Sequence, residues 1–276
     1  MTNGIFDFLA FDFMVRALLA GIVLAFVAPT IGMFFVVRRY AVMADTLAHI
    51  SLAGIAGGLY VGIAPVWAAL LACALAALGI ERLREQRVLA PDAIMTLFLF
   101  GGLALGVVLL GLRPAIGVSV ASFLFGSILT VTDGSLTAIA IIGACTFLIT
   151  VLLWRALFTV SLDEDVARAG GLPVRFINRT LAVLGAATIA ISINVVGLLL
   201  IGALMVIPVL AAMQFRVGFR ATWAIALAVA VLSVVIGLMM SFSLNLASGA
   251  TIVLITVFAF LASLVLSRFA AKALRS

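Results

Sequence analysis

An aspartate and a histidine four residues apart are the side chains of this 276-residue sequence best placed to do chemistry. Asp45 and His49 lie at the end of the stretch Arg38–His49, and His49 is the sole histidine of the sequence. At positions i and i+4 of a helix the two side chains would share one face, with Cβ atoms about 6 Å apart. A carboxylate oxygen and an imidazole nitrogen so placed can bind one divalent transition metal, such as zinc, manganese or ferrous iron.

The same pair also has a structural interpretation. Two polar residues in apolar surroundings can satisfy each other by a hydrogen bond, or Asp45 can lie near the interface at the end of a span. Spacing alone supports metal or proton handling and structural pairing equally. Two protein ligands would leave a metal partly open, which suits an ion in passage.

The elements that must position this pair are membrane helices. The sequence is 67% hydrophobic and 9% charged, with a mean hydropathy of +1.45. Uncharged runs of about 20 residues, the length that crosses a bilayer, recur along the whole chain. The composition therefore predicts an all-α polytopic membrane protein that forms a single domain over residues 1–276.

The apolar runs predict about nine transmembrane helices, within a range of eight to ten. Seven predicted spans have simple bounds: Phe11–Val37, Ala44–Ile63, Pro65–Ile80, Ala93–Leu112, Ser135–Trp154, Thr222–Met240 and Thr251–Leu266. The uncharged run between Thr180 and Phe215, with a turn at Asn194, predicts either two short spans or one span and a broken helix. The apolar segment between Arg113 and Asp133 is too short to cross the membrane, which predicts an interfacial or re-entrant helix.

Small residues recur every four positions in the second and third spans and predict close helix packing. They are Gly54, Gly58 and Gly62 in one span and Ala68, Ala72 and Ala76 in the other. Cys73 and Cys145 lie in apolar runs without metal-ligand or CxxC spacing, which predicts small core residues.

The basic residues predict the orientation. If successive spans cross the membrane in alternating directions, 14 of the 16 basic residues lie on one side, and only Arg16 and Arg113 lie on the other. By the positive-inside rule the basic side is cytoplasmic, which places the N-terminus outside. Basic residues scattered in this way do not form a nucleic-acid surface. On a continuous helix from Arg39, Asp45 would lie about 9 Å along and His49 about 15 Å. Of the ten acidic residues, Asp45 alone has no place in a loop, terminus or span end, and such intramembrane residues are functional candidates.

A polar segment at about residues 161–172 predicts a short cytoplasmic helix. Ser161 and Glu164 fit a capping box, acidic residues load the first turn, and Gly170-Gly171 followed by Pro173 end the helix. From these residues alone, the helix is either a solvated connector or a docking element for a soluble partner.

Enzymatic chemistry is disfavoured. The single lysine, Lys272, has no glycine-rich context, so the sequence contains no GxxxxGK[ST] phosphate loop and we expect no ATP hydrolysis by this chain. One histidine excludes an HExxH site, and no GxSxG or cofactor fingerprint occurs. We expect no permanently bound cofactor.

The stretch of Arg38-Arg39 followed by Met43–Gly54 resembles the signature after the first span of the ABC-3 permeases, the membrane subunits of zinc, manganese and iron ABC importers. Further similar stretches occur in family order from about residue 12 to residue 266. They are Phe125–Leu129, Asp163–Gly171, Val196–Pro208 and Ser248–Val253. The sequence departs from the family at Phe242 and Ala247, where relatives often carry tyrosine and proline, and this concerns the details of the gate.

The resemblance implies a type II ABC importer-like permease in the bacterial inner membrane. It implies a homodimer around a central path, two cytoplasmic ATPase subunits that bind the ATP, and an extracytoplasmic metal-binding protein. Asp45 and His49 would contact the metal in transit, and the helix at about 161–172 would be the coupling helix. The residues coupled to the ATPase would be Asp163, Glu164, Asp165, Ala167, Arg168, Gly170 and Gly171.

Two rival hypotheses stay open at this stage. One is an ABC permease for cobalamin or an iron chelate, which needs a wide path and no direct metal ligands. The other is an ATPase-independent secondary transporter or a membrane scaffold, in which Asp45 and His49 form a proton relay or a structural pair. The residues do not choose among zinc, manganese and iron.

Overall fold

The computed structural model describes residues 11–87, 89–112, 126, 132–193, 197–198 and 201–273, with side chains up to residue 267. Within these ranges it contains eleven α-helices and no strand. The helices are α1 (Asp12–Val37), α2 (Ala41–Val61), α3 (Pro65–Glu85), α4 (Pro91–Leu112), α5 (Asp133–Leu152), α6 (Trp154–Leu162), α7 (Glu164–Ala169), α8 (Val174–Ser192), α9 (Ile201–Met213), α10 (Phe219–Leu244) and α11 (Ser248–Ala273).

Among the described helices, eight are long and apolar enough to cross a membrane: α1 to α5, α8, α10 and α11. This confirms the polytopic all-α fold and the predicted range of eight to ten spans. Helix α9 has 13 residues, about 20 Å, and is too short to cross a core of about 30 Å alone. The described part of residues 180–215 therefore holds the rest of the span α8 and the short helix α9 rather than two full spans. The turn predicted at Asn194, and nearly all of the re-entrant segment predicted between Arg113 and Asp133, fall outside the described residues.

Helices α1, α2 and α8 form the centre of the bundle. Most of their apolar side chains are buried, whereas α3, α4, α5 and α11 expose most of theirs, as helices that face lipid do. The largest buried cluster includes Ile31, Phe34, Phe35, Leu47, Leu181 and Ile189. The candidate residues of α2 thus lie on one of the best-packed helices of the molecule.

Helices α2 and α3 approach closely through small residues, as predicted. A Cβ added at Gly58 would lie 2.4 Å from the Cβ of Ala68, and one added at Gly54 would lie 2.7 Å from the Cβ of Ala72. The prediction is wrong for Gly62: a Cβ added there would meet nothing within 4 Å, and Gly62 instead ends α2 in the left-handed conformation, with φ of 75°.

Helix α4 covers the other side of α2 in the same way. A Cβ at Gly102 would lie 3.0 Å from the Cα of Ile50, and one at Gly106 would lie 3.1 Å from the backbone nitrogen of Ala53. Because backbone meets backbone at both contacts, α2 is fixed between α3 and α4.

Residues 81–87, which follow the predicted third span, are mostly helical. Helix α3 continues to Glu85, and the Glu81 side chain is only 2% exposed because it accepts hydrogen bonds from Arg84 one turn along the helix. Glu81 thus lies near the end of a span, as the sequence predicts for every acid but Asp45, although it is buried rather than solvated.

The two cysteines differ. Cys73 is buried, and its thiol donates to the carbonyl oxygen of Leu47 at 3.2 Å, as a core residue. Cys145 is exposed on α5, so the prediction that it lies in the core was wrong. Helix α5 is apolar around its circumference, and an apolar sequence does not distinguish a core face from a lipid face.

The ion pairs divide the bundle into two ends. Arg16 of α1 contacts Asp133 at the start of α5 (3.0 Å). At the opposite ends of these helices, Arg38 contacts Glu164 at 3.0 Å, close to the start of α8. This division agrees with the alternating arrangement predicted from the basic residues.

Candidate metal-binding site and coupling helix

A tight reversal after α1 sets the start of α2. Arg39 has a φ of 61°, and the Tyr40 N–H donates to the carbonyl oxygen of Phe35 at 2.7 Å, a hydrogen-bond pattern that closes helix ends. Helix α2 then begins at Ala41, three residues before the predicted start. The helix is not continuous from Arg39, so Asp45 lies only about 6 Å along α2.

Asp45 and His49 lie on the least covered face of α2. Val42 and Asp45 are exposed and His49 is half-buried, while Leu47 and Ala48 between them are buried. The i and i+4 spacing therefore brings the two candidate ligands to one face, as the sequence predicts. This face points away from the packed interior of the single chain.

The two side chains do not pair with each other. The Asp45 carboxylate and the His49 imidazole form neither a hydrogen bond nor an ion pair within 4.0 Å. The Nδ1 atom of His49 is buried and has no hydrogen-bond partner among the described residues. The structure therefore does not have the hydrogen-bonded structural pair.

The first turn of α9 holds the carboxylate. A Cβ at Gly202 would lie 2.0 Å from Oδ1 of Asp45, so this carboxylate occupies space that any side chain at residue 202 would need. The amino end of a helix carries a partial positive charge and stabilises a nearby anion. The Asp45 carboxylate thus lies beside a helix end rather than beside a basic side chain.

One chain offers two ligands. Within the part of the chain that the structure describes, no group of three or more His, Cys, Asp and Glu side chains is close enough to hold a metal ion. An ion bound by Asp45 and His49 would take its other ligands from outside this pair of side chains. Such a partly open shell favours release.

The short cytoplasmic helix is α7, preceded by α6. Asp163 caps its amino end, because its Oδ1 accepts from the backbone N–H groups of Asp165 (2.8 Å) and Val166 (3.0 Å). The predicted Ser161 capping box was wrong. Ser161 lies inside α6, which continues to Leu162, and its hydroxyl is buried with no hydrogen-bond partner among the described residues.

The carboxyl end of α7 is as predicted. Gly171 has a φ of 79°, the Gly171 N–H donates to Arg168, and the Leu172 N–H reaches back to the carbonyl oxygen of Ala167 at 3.0 Å. This hydrogen-bond pattern is a Schellman motif, in which glycine adopts the left-handed conformation without strain.

Helix α7 has an outer and an inner face. On the outer face Val166 is 63% exposed, and Asp165 and Arg168 form an exposed ion pair at 3.2 Å. On the inner face Ala167 is 1% exposed, and the Glu164 side chain turns toward the membrane helices. The residues predicted to couple to the ATPase therefore divide between two surfaces.

Three donors converge on one oxygen of Glu164. Its Oε1 accepts from Arg38 Nη2 (3.0 Å), Arg84 Nη1 (2.9 Å) and Asn178 Nδ2 (3.0 Å). Arg38 also donates to Asn178 Oδ1, and Arg84 binds Glu81 with two nitrogens. Burial opposes ionisation of Glu164, but the charges of Arg84 and Arg38 and the hydrogen bonds outweigh it and hold the pKa of this carboxyl below its usual range.

The surroundings of Arg38 and Tyr40 are similarly enclosed. Burial lowers the pKa of the Arg38 guanidinium, and Glu164 offsets part of this effect. The Tyr40 ring lies 5.7 Å from the Arg38 guanidinium carbon and 5.4 Å from that of Arg84, and burial raises the pKa of its hydroxyl. Sequence reasoning missed this cluster because its members lie up to 140 positions apart.

An apolar helical bundle with a polar pair on a membrane helix and a capped cytoplasmic helix is the architecture of a transport permease. The chain belongs to the ABC 3 transport family, whose model matches residues 10–267. This confirms the resemblance on which the sequence-based expectations rested.

Similar proteins match almost the whole chain. It is 36% identical to a probable metal transport system membrane protein of Treponema pallidum over 90% of this chain and 93% of the relative. It is 30% identical to the high-affinity zinc uptake system membrane protein of Haemophilus influenzae over 92% of this chain and 97% of the relative. A chain of PsaBC from Streptococcus pneumoniae, solved in complex with a Fab, shares the fold with a TM-score of 0.85, 29% identity and 95% coverage of both chains.

Proposed function

We propose that this protein is the permease subunit of an ABC importer that moves a divalent transition metal, zinc, manganese or iron, across the inner membrane into the cytoplasm. A separate ATPase subunit binds and hydrolyses the ATP. Membership of the ABC 3 transport family and the metal transport relatives support this class. The metal is the cargo, and the chain needs no permanently bound cofactor.

One observation carries the proposal: the exposed carboxylate of Asp45 on a membrane helix. A charged side chain that faces lipid costs a few kcal/mol, so such residues face a partner or a hydrated cavity. The face of Asp45 and His49 is open in the single chain. Two copies that meet around this face would shield it from lipid and enclose a central path, which supports a homodimer.

The ligand chemistry fits passage of a metal ion. Asp45 supplies negative charge beside the amino end of α9, and His49 supplies a ring nitrogen free of other described partners. Zinc, manganese and ferrous iron accept this mixed oxygen and nitrogen set. An extracytoplasmic metal-binding protein would deliver the ion to the outer mouth of the path.

The outer face of α7 is the proposed seat of the ATPase. Val166 presents an apolar side chain to solvent, and Asp165 and Arg168 flank it with opposite charges. A helix capped at both ends holds this surface in a fixed orientation. We therefore assign Asp165, Val166 and Arg168 to docking and Asp163, Gly170 and Gly171 to the shape of the helix.

The test is metal uptake by the permease–ATPase complex in proteoliposomes. Asp45→Asn and His49→Ala should each lower uptake of Zn²⁺ or Mn²⁺ at least tenfold, because each removes one of two protein ligands, while copurification of the ATPase stays unchanged. Val42→Ala, on the same face of α2, is the matched control and should transport normally. Normal uptake by both ligand variants would contradict the site. Uptake without any ATPase would favour a secondary transporter, and competition among the three metals identifies the cargo.

A further inference from the structure

We infer that Glu164 is the residue through which movement of α7 reaches the metal-bearing helix α2. This inference rests on the proposed function, in which α7 receives the movement of the ATPase. It separates Glu164 from the docking residues, since its carboxylate contacts the permease itself and the ATPase would contact the opposite face of α7.

The contacts of Glu164 lead directly to the start of α2. Arg38, which donates to Glu164 at 3.0 Å, lies in the reversal that begins α2 and only seven positions before Asp45. Tyr40, the residue before α2, packs against both Arg38 and Arg84. The other two donors anchor the same oxygen to α3 and α8. One carboxylate oxygen thus joins α7 to α3, to α8 and to the turn between α1 and α2.

The charge balance makes this link dependent on Glu164. The cluster holds two guanidinium groups, Arg38 and Arg84, and two carboxylates, Glu81 and Glu164. Arg84 has Glu81 as a second partner, whereas Glu164 is the carboxylate that pairs with Arg38 among the described residues. The Arg38 side chain is only 5% exposed, and a buried charge without a counter-charge is strongly unfavourable. When α7 moves, Arg38 must therefore move together with Glu164 or exchange this carboxylate for other polar contacts.

The neighbouring acid provides the contrast. The Asp165 side chain is 87% exposed and pairs with Arg168 on the outer face, while the Glu164 side chain is 32% exposed and binds inward. Two adjacent carboxylates of one helix therefore have different tasks. Glu164 is a positioning residue for transport, and Asp165 belongs to the docking surface.

The experiment compares two variants in the reconstituted permease–ATPase complex, with Mn²⁺ or Zn²⁺ as the probe. Glu164→Gln keeps the size of the side chain and removes its charge. We expect it to copurify with the ATPase and hydrolyse ATP at the basal rate, but to carry at least tenfold less metal per ATP hydrolysed. Asp165→Asn with Arg168→Gln should instead weaken copurification and leave metal per ATP in the assembled fraction unchanged.

A double variant tests whether Arg38 is the route. If Glu164 acts through Arg38, Arg38→Gln combined with Glu164→Gln should carry no less metal per ATP than either single variant. Wild-type metal per ATP in Glu164→Gln would overturn the inference, and so would a loss that only follows a smaller amount of assembled complex. Metal uptake by the wild-type complex tests the proposed function separately, because the wild type can transport metal whether or not Glu164 has the role inferred here.

Discussion

The position of Asp45 depends on a residue that has no side chain. Gly202 lies against Oδ1 of Asp45, and the two residues come from helices far apart in the sequence. That Asp45 and His49 share one face of α2 could be predicted from their spacing, because a helix determines which residues share a face. The contact with Gly202 could not, because nothing local to either residue indicates which helices pack together.

The substitution Gly202→Ala tests this contact. The new methyl group would lie 2.0 Å from Oδ1, so the carboxylate must leave its place beside the amino end of α9. We expect metal uptake to fall at least fivefold, measured in proteoliposomes at equal amounts of assembled complex. Gly101→Ala on α4 is the matched control, because a Cβ there meets nothing within 4 Å. Full uptake by Gly202→Ala would show that the position of Asp45 is not important.

At the scale of elements, the sequence predicted helices well and their ends less well. Long uncharged runs leave few alternatives, so α1, α4 and α5 lie close to their predicted bounds. The predictions failed where a charged side chain finds a partner inside the fold. Glu81 lies just beyond the predicted third span, yet in the structure it is buried within α3 and accepts hydrogen bonds from Arg84. Ser161 fits a capping motif, but Asp163 provides the cap.

The close contact of α2 with α3 gives a prediction for the packing. Gly58→Val would place its Cβ 2.4 Å from that of Ala68, and separating the two helices should destabilise the protein by about 1 to 3 kcal/mol. Gly57→Val changes the neighbouring residue, where a Cβ meets nothing within 4 Å, and should cost far less. Thermal unfolding in detergent, read from both variants, measures the difference. Equal melting temperatures would contradict the close contact.

At the scale of the whole molecule, the residues that adopt the left-handed conformation at helix ends are related to the orientation of the protein in the membrane. Arg39, Arg87 and Arg216 follow α1, α3 and α9 with φ of 61°, 53° and 51°, all at ends that we place on the cytoplasmic side. At the opposite side, α2 and α10 end in Gly62 and Asn245, the residue types that accept this conformation readily. Arginine at such a position costs about 1 kcal/mol or more. The chain therefore retains positive charge on one side at a cost in backbone strain.

Replacing two of these arginines should separate stability from orientation. In Arg39→Gly with Arg87→Gly, relief of strain should stabilise the correctly inserted protein by about 1 kcal/mol per position. Loss of two cytoplasmic positive charges should increase the fraction inserted in the wrong orientation. Thermal unfolding measures the first effect, and labelling of an engineered cysteine from each side of the membrane measures the second. Arg155→Gln, which removes a charge from a helical residue, should affect orientation without the gain in stability.

The glycine contacts on both sides of α2 also determine which parts of the bundle can slide. Backbones that interlock as closely as those of α2 with α3 and α4 resist relative translation, so these three helices would move as one rigid body. Motion that opens and closes the proposed path would then fall at the boundary between this body and α9. Asp45 lies on that boundary, opposite Gly202. A bound ion would thus keep its two side-chain ligands while the opposite wall of the path changes, and its release would follow from the displacement of that wall.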